Sequence, residues 1–395
     1  MQKKLLAVAI AGAFGAPALA LAQSSTVQIY GTMYVEYSFV DQPAALSGGD
    51  LTKVDFLQTP GSNVGFKGEE KLGGGLSAWF QCESTADVRG ISQEGWCARN
   101  SALGLKGGFG NLFIGNWDTP FKRTISPTNV GGNDTGIFGT AQLLTGASTT
   151  TTVGGNRAAF KRRQNASINY DSPNFGGFQV MAAVTSAQSA TNTTTNASNN
   201  KARVGSLAAQ YSAGPIYVSA GYERHWDFAG TGAAATTPPE SKDDGWHVGA
   251  AYTWGPVRVG GQYTRQEFDT RVASVGGEAK VSAFHVGVDW KIVGPHGLRA
   301  AYTKAKDVKG QAGAAIGGVV TTGGAGYRPP VGSNTGADMW QVRYVYSFSK
   351  RTEFNLGYIR LDNESAAGYR LYGLGAAVAG GSNEDAIAMS LRHTF

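Results

Sequence analysis

Apolar and polar residues alternate with a period of two along most of the chain. At the start of the pattern, Val27, Ile29, Met33, Val35, Tyr37 and Phe39 share one parity, against Gln28, Tyr30, Thr32, Tyr34, Glu36 and Ser38 on the other. That alternation predicts a strand with one apolar and one polar face. It returns in "WHVGAAYTW" at 246–254, "PVRVGGQYT" at 256–264, "FHVGVDW" at 284–290 and "WQVRYVYSF" at 340–348. Sixteen such strands are expected, near residues 26–40, 52–69, 75–84, 96–107, 110–117, 160–172, 176–186, 201–212, 215–226, 244–254, 256–268, 279–291, 297–307, 338–348, 351–361 and 384–395.

The connections between these strands fall into two kinds. Some are tight, such as "KLGGG", "SAGP", "WGP" and "VGPHG"; others are long and polar, such as "SAQSATNTTTNASNNK" and the stretch 307–337. Short turns at one end and long loops at the other predict an all-β fold, a 16-stranded antiparallel transmembrane β-barrel with short periplasmic turns and long extracellular loops. In a bilayer the apolar parity of each strand faces lipid and the polar parity faces the lumen. Trp246, Trp254, Trp290, Trp340, Tyr346 and Tyr358 lie on the apolar parity near strand ends, where aromatic girdles meet the headgroups. A large soluble β protein with an aromatic core would alternate in the same way. The even strand count, the two-ended loop asymmetry and the leader sequence favour the membrane.

That leader is residues 1–22. "MQKK" is basic, the following stretch is short and apolar, and "ALA" at 20–22 is a small-residue cleavage site. Together they predict a secretory signal peptide, leaving 23–395 as the barrel. The formal charge of +6 falls to +4 when Lys3 and Lys4 are removed, too little and too dispersed for a nucleic-acid surface. The 57 glycines of 395 residues, with 11% aromatics and only 16% charged residues, suit short turns and close backbone approach. The five histidines, His225, His247, His285, His296 and His393, form no HExxH or other catalytic or metal-binding spacing, so no enzyme and no cofactor are expected. Cys82 and Cys97 are the only cysteines. In an oxidising compartment an isolated pair predicts a disulfide. A symmetric hairpin would set Leu76 against Leu103, Phe80 against Arg99 and Cys82 against Cys97.

Five segments carry a resemblance: "YGTMYVEY", "GSNVGFKGEEKLGGGLSAWFQCES", "RNSALGLKGGFGNLFIGNWDTPF", "NASINYDSPNFGGFQV" and the terminal "SLRHTF". In this order they resemble the trimeric general-diffusion porins of Gram-negative bacteria, in their β-proteobacterial branch. The resemblance implies a homotrimer in the outer membrane, among lipid and lipopolysaccharide, through which small hydrophilic solutes diffuse. It also implies that the loop after the fifth strand, about 118–159, folds into the channel and narrows it. Phe121, Ile137, Phe138, Leu143 and Leu144 would then anchor that loop, with Lys122, Arg123 and Asp134 toward the passage. The chain departs from the family at Asn63 and at Gly115, Asn116 and Trp117, where many relatives carry arginine. Strong anion selectivity is therefore not carried over.

Glu36, Lys67, Arg163, Arg258, Arg299, Arg343 and Arg392 occupy polar-parity positions. The last strand must close on the first, so Arg392, Arg343, Lys67 and Arg163 are expected to form a basic arc, opposed by Glu36, Asp134 or Asp118. Arginine suits such a lining because it stays charged and meets carboxylate or phosphate with a planar fork. An equal alternative is that some of these charges pair with wall carboxylates and hold the loop. The terminal Phe395 resembles the aromatic signal read by the outer-membrane assembly machinery. Two functions follow: a diffusion channel with weak anion preference, or a substrate-specific channel for organic anions or phosphate-like solutes. A closed, adhesive barrel is the third.

Overall fold

In the computed structural model, residues 27–42, 53–91, 94–146, 159–185, 202–226, 242–269, 277–311, 329–371 and 380–395 are described. The expected signal peptide, residues 147–158 of the loop after the fifth strand, and much of the long polar connections lie outside them. The strands are β1 (Val27–Asp41), β2 (Lys53–Gln58), β3 (Asn63–Gly73), β4 (Leu76–Thr85), β5 (Ser101–Gly107), β6 (Gly110–Asp118), β7 (Arg163–Asp171), β8 (Phe178–Thr185) and β9 (Arg203–Ala213). They continue as β10 (Ile216–Trp226), β11 (Lys242–Trp254), β12 (Val257–Asp269), β13 (Glu278–Val293), β14 (His296–Ala305), β15 (Lys309–Gly310), β16 (Ala337–Ser347), β17 (Thr352–Asn363) and β18 (Glu384–Thr394).

Every pairing between the named strands is antiparallel, and β18 returns to β1 from Thr32 opposite Thr394 to Asp41 opposite Asp385. The sheet is thereby closed. It has sixteen staves, because β2 and β3 both pair with β1 as halves of one stave, and the two-residue β15 extends the β14 stave against β13. The break between β2 and β3 corrects the continuous strand expected at 52–69. Pro60 offers no N–H, and Gly61 sits at φ 72°, a conformation that strands do not use. The Ser62 hydroxyl fills the gap: its Oγ accepts from Tyr34 N at 2.9 Å and donates to Tyr34 O at 2.9 Å. At the tight end, Gly214, Gly255 and Gly294 each take φ 54° just before a proline. Glycine supplies the left-handed residue and proline fixes the exit.

The parity read from sequence sets the outer face. Trp246, Val248, Tyr252 and Trp254 on β11, and Ile387, Met389 and Leu391 on β18, are exposed on the barrel exterior, while Ala386, Ala388 and Ser390 between them are buried. The inner face differs from expectation. Much of it is apolar toward the long-loop end: Phe268, Ala279, Val281, Ala283, Ala305, Met339, Ile359 and Leu361 are all buried. They pack against residues of the loop after β6 and of the connection between β17 and β18, including Ile137, Phe138, Leu143, Tyr369 and Leu371 and Phe121, Ile125 and Phe160. The polar-inside rule fails there because the lumen at that level holds polypeptide rather than water.

Two local corrections bear on the site. β5 begins at Ser101, and Phe80 pairs with Leu103 rather than with Arg99. Cys97 still bonds Cys82, with a Cα separation of 4.7 Å, because the chain before β5 leaves the ladder and Cys97 takes φ 58°. In β7, Ala166 at φ 49° marks a bulge, since Gly115 pairs with Ser167 but Trp117 with Gln164. One extra residue shifts parity, so the alternation from Ser167 and Asn169 does not extend unbroken to Arg163.

Candidate functional site

The loop after β6 crosses the barrel interior. It opens with α1 (Pro120–Ile125), capped by Thr119, whose hydroxyl accepts from Lys122 N. Proline at the first helical position costs no hydrogen bond. The end of α1 is fixed to the wall: Thr124 O accepts from Tyr217 Oη at 2.9 Å and Ser219 Oγ at 2.8 Å, and Thr124 Oγ1 meets His247 Nε2 at 3.0 Å. A 3-10 turn, Ser126–Thr128, follows, with Thr128 Oγ1 donating to Gln262 at 2.8 Å. His285 Nε2 lies 2.9 Å from Val130 O, and its Nδ1 lies 2.9 Å from Thr303 Oγ1. A carbonyl only accepts, so Nε2 carries the proton and Nδ1 accepts from the threonine. Further on the loop docks again at α2 (Ala141–Leu144), where Leu144 O accepts from Thr264 and Gln266, each at 2.7 Å.

Between these anchors the loop reaches the opposite wall. Ile137 N donates to Glu36 Oε1 at 2.7 Å, and the same carboxylate accepts from Gln58 Nε2 at 2.6 Å and Tyr34 Oη at 2.9 Å. Arg343 is 1% exposed. It donates to Gly131 O at 2.6 Å and Asn133 Oδ1 at 2.9 Å, and its guanidinium lies 4.7 Å from the Phe138 ring centroid.

One face of the loop remains open. A cavity of about 400 Å³ lies between it and the wall, lined by seven cationic side chains and three carboxylates. Asp118 Oδ1 holds Lys122 at 2.8 Å and Arg163 at 3.2 Å. Asp134 pairs with Lys161, and Glu353 with Arg299 at 3.1 Å. Arg99 turns to Glu83, just beyond the lining, at 2.8 Å. Burial alone would raise the Asp134 carboxyl, but the adjacent Lys161 ammonium and the Ser126 hydroxyl outweigh it and hold it below the usual carboxylate range. Arg299, Glu353 and Arg392 also line a second cavity, of about 670 Å³, that opens toward the short-turn end. Constriction and mouth are thus joined through shared side chains.

A closed sixteen-stave barrel with a loop folded inside it is matched by sequence as well. The profile described as Gram-negative porin matches residues 6–366. The chain belongs to the Gram-negative porin family. It is an outer-membrane β-barrel, and its short-turn end is periplasmic. It is 31% identical over 234 residues to the major outer membrane protein P.IB of Neisseria meningitidis serogroup A, covering 58% of this chain and 61% of that one. The P.IB protein of Neisseria gonorrhoeae is 34% identical over 185 residues, 45% of this chain and 46% of that one. The matches therefore span about half the length of these relatives. Among solved structures, the anion-selective porin from Comamonas acidovorans superposes with a TM-score of 0.70 at 21% identity, covering 94% of this chain and all of that one. The in-vitro folded OmpT of Vibrio cholerae, in its trimer form, superposes with a TM-score of 0.62 at 18% identity, with coverage of 94% and 100%.

The residues singled out from sequence divide within this porin. Lys122, Asp134, Arg163, Arg343 and Arg392 line the cavity between loop and wall. Glu36 is fully buried behind the loop tip. Arg123 makes a bidentate pair with Asp171, at 2.8 and 2.7 Å, on the wall side. Lys67 lies nearer the periplasmic end, over the Tyr30 ring at 5.0 Å. Phe395 exchanges backbone hydrogen bonds with Gly31 at 3.0 and 3.2 Å, closing the last stave on the first. Asn63 lines the cavity uncharged, and Asn116 Nδ2 donates to Arg99 O at 3.1 Å. Arg99 thus adds to the lining a cation that was not singled out from sequence. The sequence hid it, because a regular hairpin places it opposite Phe80.

Proposed function

We propose that this porin forms a water-filled channel for passive diffusion of small hydrophilic solutes and ions, with weak anion preference. The observation that carries the reading is the loop-to-wall cavity with its excess of cations over carboxylates. Wall charge and width decide what passes such a constriction. The preference is weak because Lys122, Arg163, Lys161 and Arg299 are paired with acids, while Arg392 makes no ion pair among the described residues. The shared fold with the anion-selective porin from Comamonas acidovorans supports the sign. The trimer form of the Vibrio cholerae structure supports a homotrimer. On this reading the mature chain starts at Gln23, inserts through the assembly machinery with Phe395 as part of its signal, and sits among lipid and lipopolysaccharide.

The test is planar-bilayer recording from the purified protein. An open, ohmic conductance with a reversal potential modestly on the anion side supports the proposal. A small conductance blocked by one class of organic anion or phosphate would replace it with the substrate-specific channel. No conductance would remove both readings.

A further inference from the structure

The larger cavity, at the periplasmic mouth, differs electrostatically from the constriction above it. Its carboxylates are Asp289 and Glu353. Both face one guanidinium: Arg299 lies 3.1 Å from Glu353 and 3.8 Å from Asp289. Asp289 also accepts from Gly131 N at 3.0 Å, which ties it to the constriction loop. The acids of the mouth are therefore committed. Four further cations line the same space: Lys291 from β13, Lys350 and Arg351 from the turn between β16 and β17, and Arg392 from β18. Lys291, Lys350 and Arg351 touch no carboxylate among the described residues, while Arg392 stands across the β17–β18 ladder from Glu353 and acts on its charge. In the constriction, by contrast, Lys122, Arg163 and Lys161 each meet an acid. The mouth thus holds three cations, Lys291, Lys350 and Arg351, that meet no acid among the described residues, whereas Arg343, which meets none in the constriction, is buried against the loop. A concave wall of low dielectric behind such a cluster focuses its field and concentrates counter-ions.

We propose that the periplasmic mouth is a binding site for small multivalent anions, carboxylate or phosphate alike, distinct from the constriction. The site makes the channel sensitive to the side from which such an anion arrives. Side dependence rests on the reading of the chain as an open channel; binding itself does not. A monovalent ion meets one or two cations at a time and exchanges freely. A trivalent ion spans three and is held. The mouth is wide and wet, so its field is screened within about 3 Å at 1 M salt but extends about 10 Å at 0.1 M. The close ion pairs of the constriction are much less sensitive to salt.

Citrate is a suitable probe, added to one side at a time of oriented channels in planar bilayers. At 0.1 M KCl, periplasmic citrate should reduce current at about tenfold lower concentration than extracellular citrate, and the difference should vanish at 1 M KCl. The K291Q/K350Q/R351Q variant should abolish the side difference, and K291R/K350R/R351K should retain it. Equal sensitivity from both sides, or a side difference that survives the triple neutralisation, overturns the proposal. Calorimetric titration of citrate into the detergent-purified protein reads the site without current. Binding weakened about tenfold by K291Q/K350Q/R351Q supports the proposal, and equal affinity in both proteins overturns it. Citrate binding without conductance would overturn the channel reading alone.

Discussion

Along a single stave the inner wall changes character from one end to the other. On β17 the inward residues run Leu361, Ile359, Gly357, Asn355 and Glu353; on β18 they run Ala386, Ala388, Ser390 and Arg392. The first residues of each series lie under the packed loops and are apolar or small. The last line the passage and the mouth and are polar or charged. Both stretches obey the same two-residue alternation, so parity alone decides only lipid against lumen. What fills the lumen decides the rest. Where the loop is docked, the inner wall is the core of a small globular unit. Where the loop is absent, it is a solvated surface.

The strongest way to break this distinction is to unseat the loop. Gly287 faces inward beneath it, and a Cβ there would collide with Val130 O. Its neighbours repeat the theme: a Cβ at Gly249 would lie 2.7 Å from Thr128 Oγ1, and one at Gly357 2.9 Å from Phe138 Cζ. These glycines are needed for close approach and not for backbone freedom, since none is at positive φ. Gly287→Val should leave the barrel folded and release the loop, with single-channel conductance rising about twofold or more toward that of an open sixteen-stave barrel. An unchanged conductance in a variant with normal β-sheet circular dichroism would show that the loop does not depend on this cradle.

Glu36 tests the opposite attachment. Its carboxylate is buried and accepts three hydrogen bonds, one of them from the loop tip at Ile137 N. Glu36→Ala leaves those donors unsatisfied, at a cost of about 1–3 kcal/mol. The cost should appear as faster amide exchange at Ile137 and as current noise, with mean conductance less changed than in Gly287→Val. Exchange as slow as in the unaltered protein would mean that the apolar contacts of Ile137 and Phe138 suffice.

Arg392 and Arg163 sharpen the comparison inside the wet region. Arg163 shares the single Asp118 carboxylate with Lys122, so Arg163→Gln removes a charge that is partly compensated. Arg392 makes no ion pair among the described residues, and Glu353, across the ladder from it, is already held by Arg299. Arg392→Gln should therefore move the reversal potential further toward the cation side than Arg163→Gln does, and more at 0.1 M than at 1 M salt. The reverse order would mean that pairing within the constriction does not limit what a charge contributes.

The barrel was legible in sequence because its two-residue period is imposed on nearly every strand by lipid on one side. The constriction was only partly legible. Arg163, Arg343 and Arg392 were expected from strand parity, and Lys122 and Asp134 from the loop that the resemblance implies; these five line one cavity, but parity carries no information on whether a charge meets water or a partner. That is why Glu36 and Arg123 read as channel residues when their contacts are with the loop tip and with Asp171. His247 and His285 formed no motif, because their partners, Thr124 and Val130, arrive on a loop more than a hundred residues earlier. Irregular backbone hid the rest. The departure from the ladder before Ser101 moved Arg99, and the bulge at Ala166 interrupted the alternation that leads to Arg163.

The smallest expected effect is that of pH on the wet region. Asp134 is a loop carboxylate that lines the cavity between loop and wall, and Lys161 with Ser126 holds its titration below the ordinary range. A group whose folded-state value is lowered contributes stability above its unfolded value and loses that contribution as pH falls through the folded one. The negative charge at this point should therefore persist through mildly acidic solution, and selectivity should stay constant from neutrality down into the normal carboxylate range. Lys161→Gln removes the main restraint while leaving the burial that opposes ionisation. In that variant Asp134 should neutralise at higher pH, shifting the reversal potential toward anions over a range where the unaltered channel is steady. If both proteins follow the same pH profile, the Lys161–Asp134 pair belongs with the loop's internal scaffolding and not with the surface that ions meet.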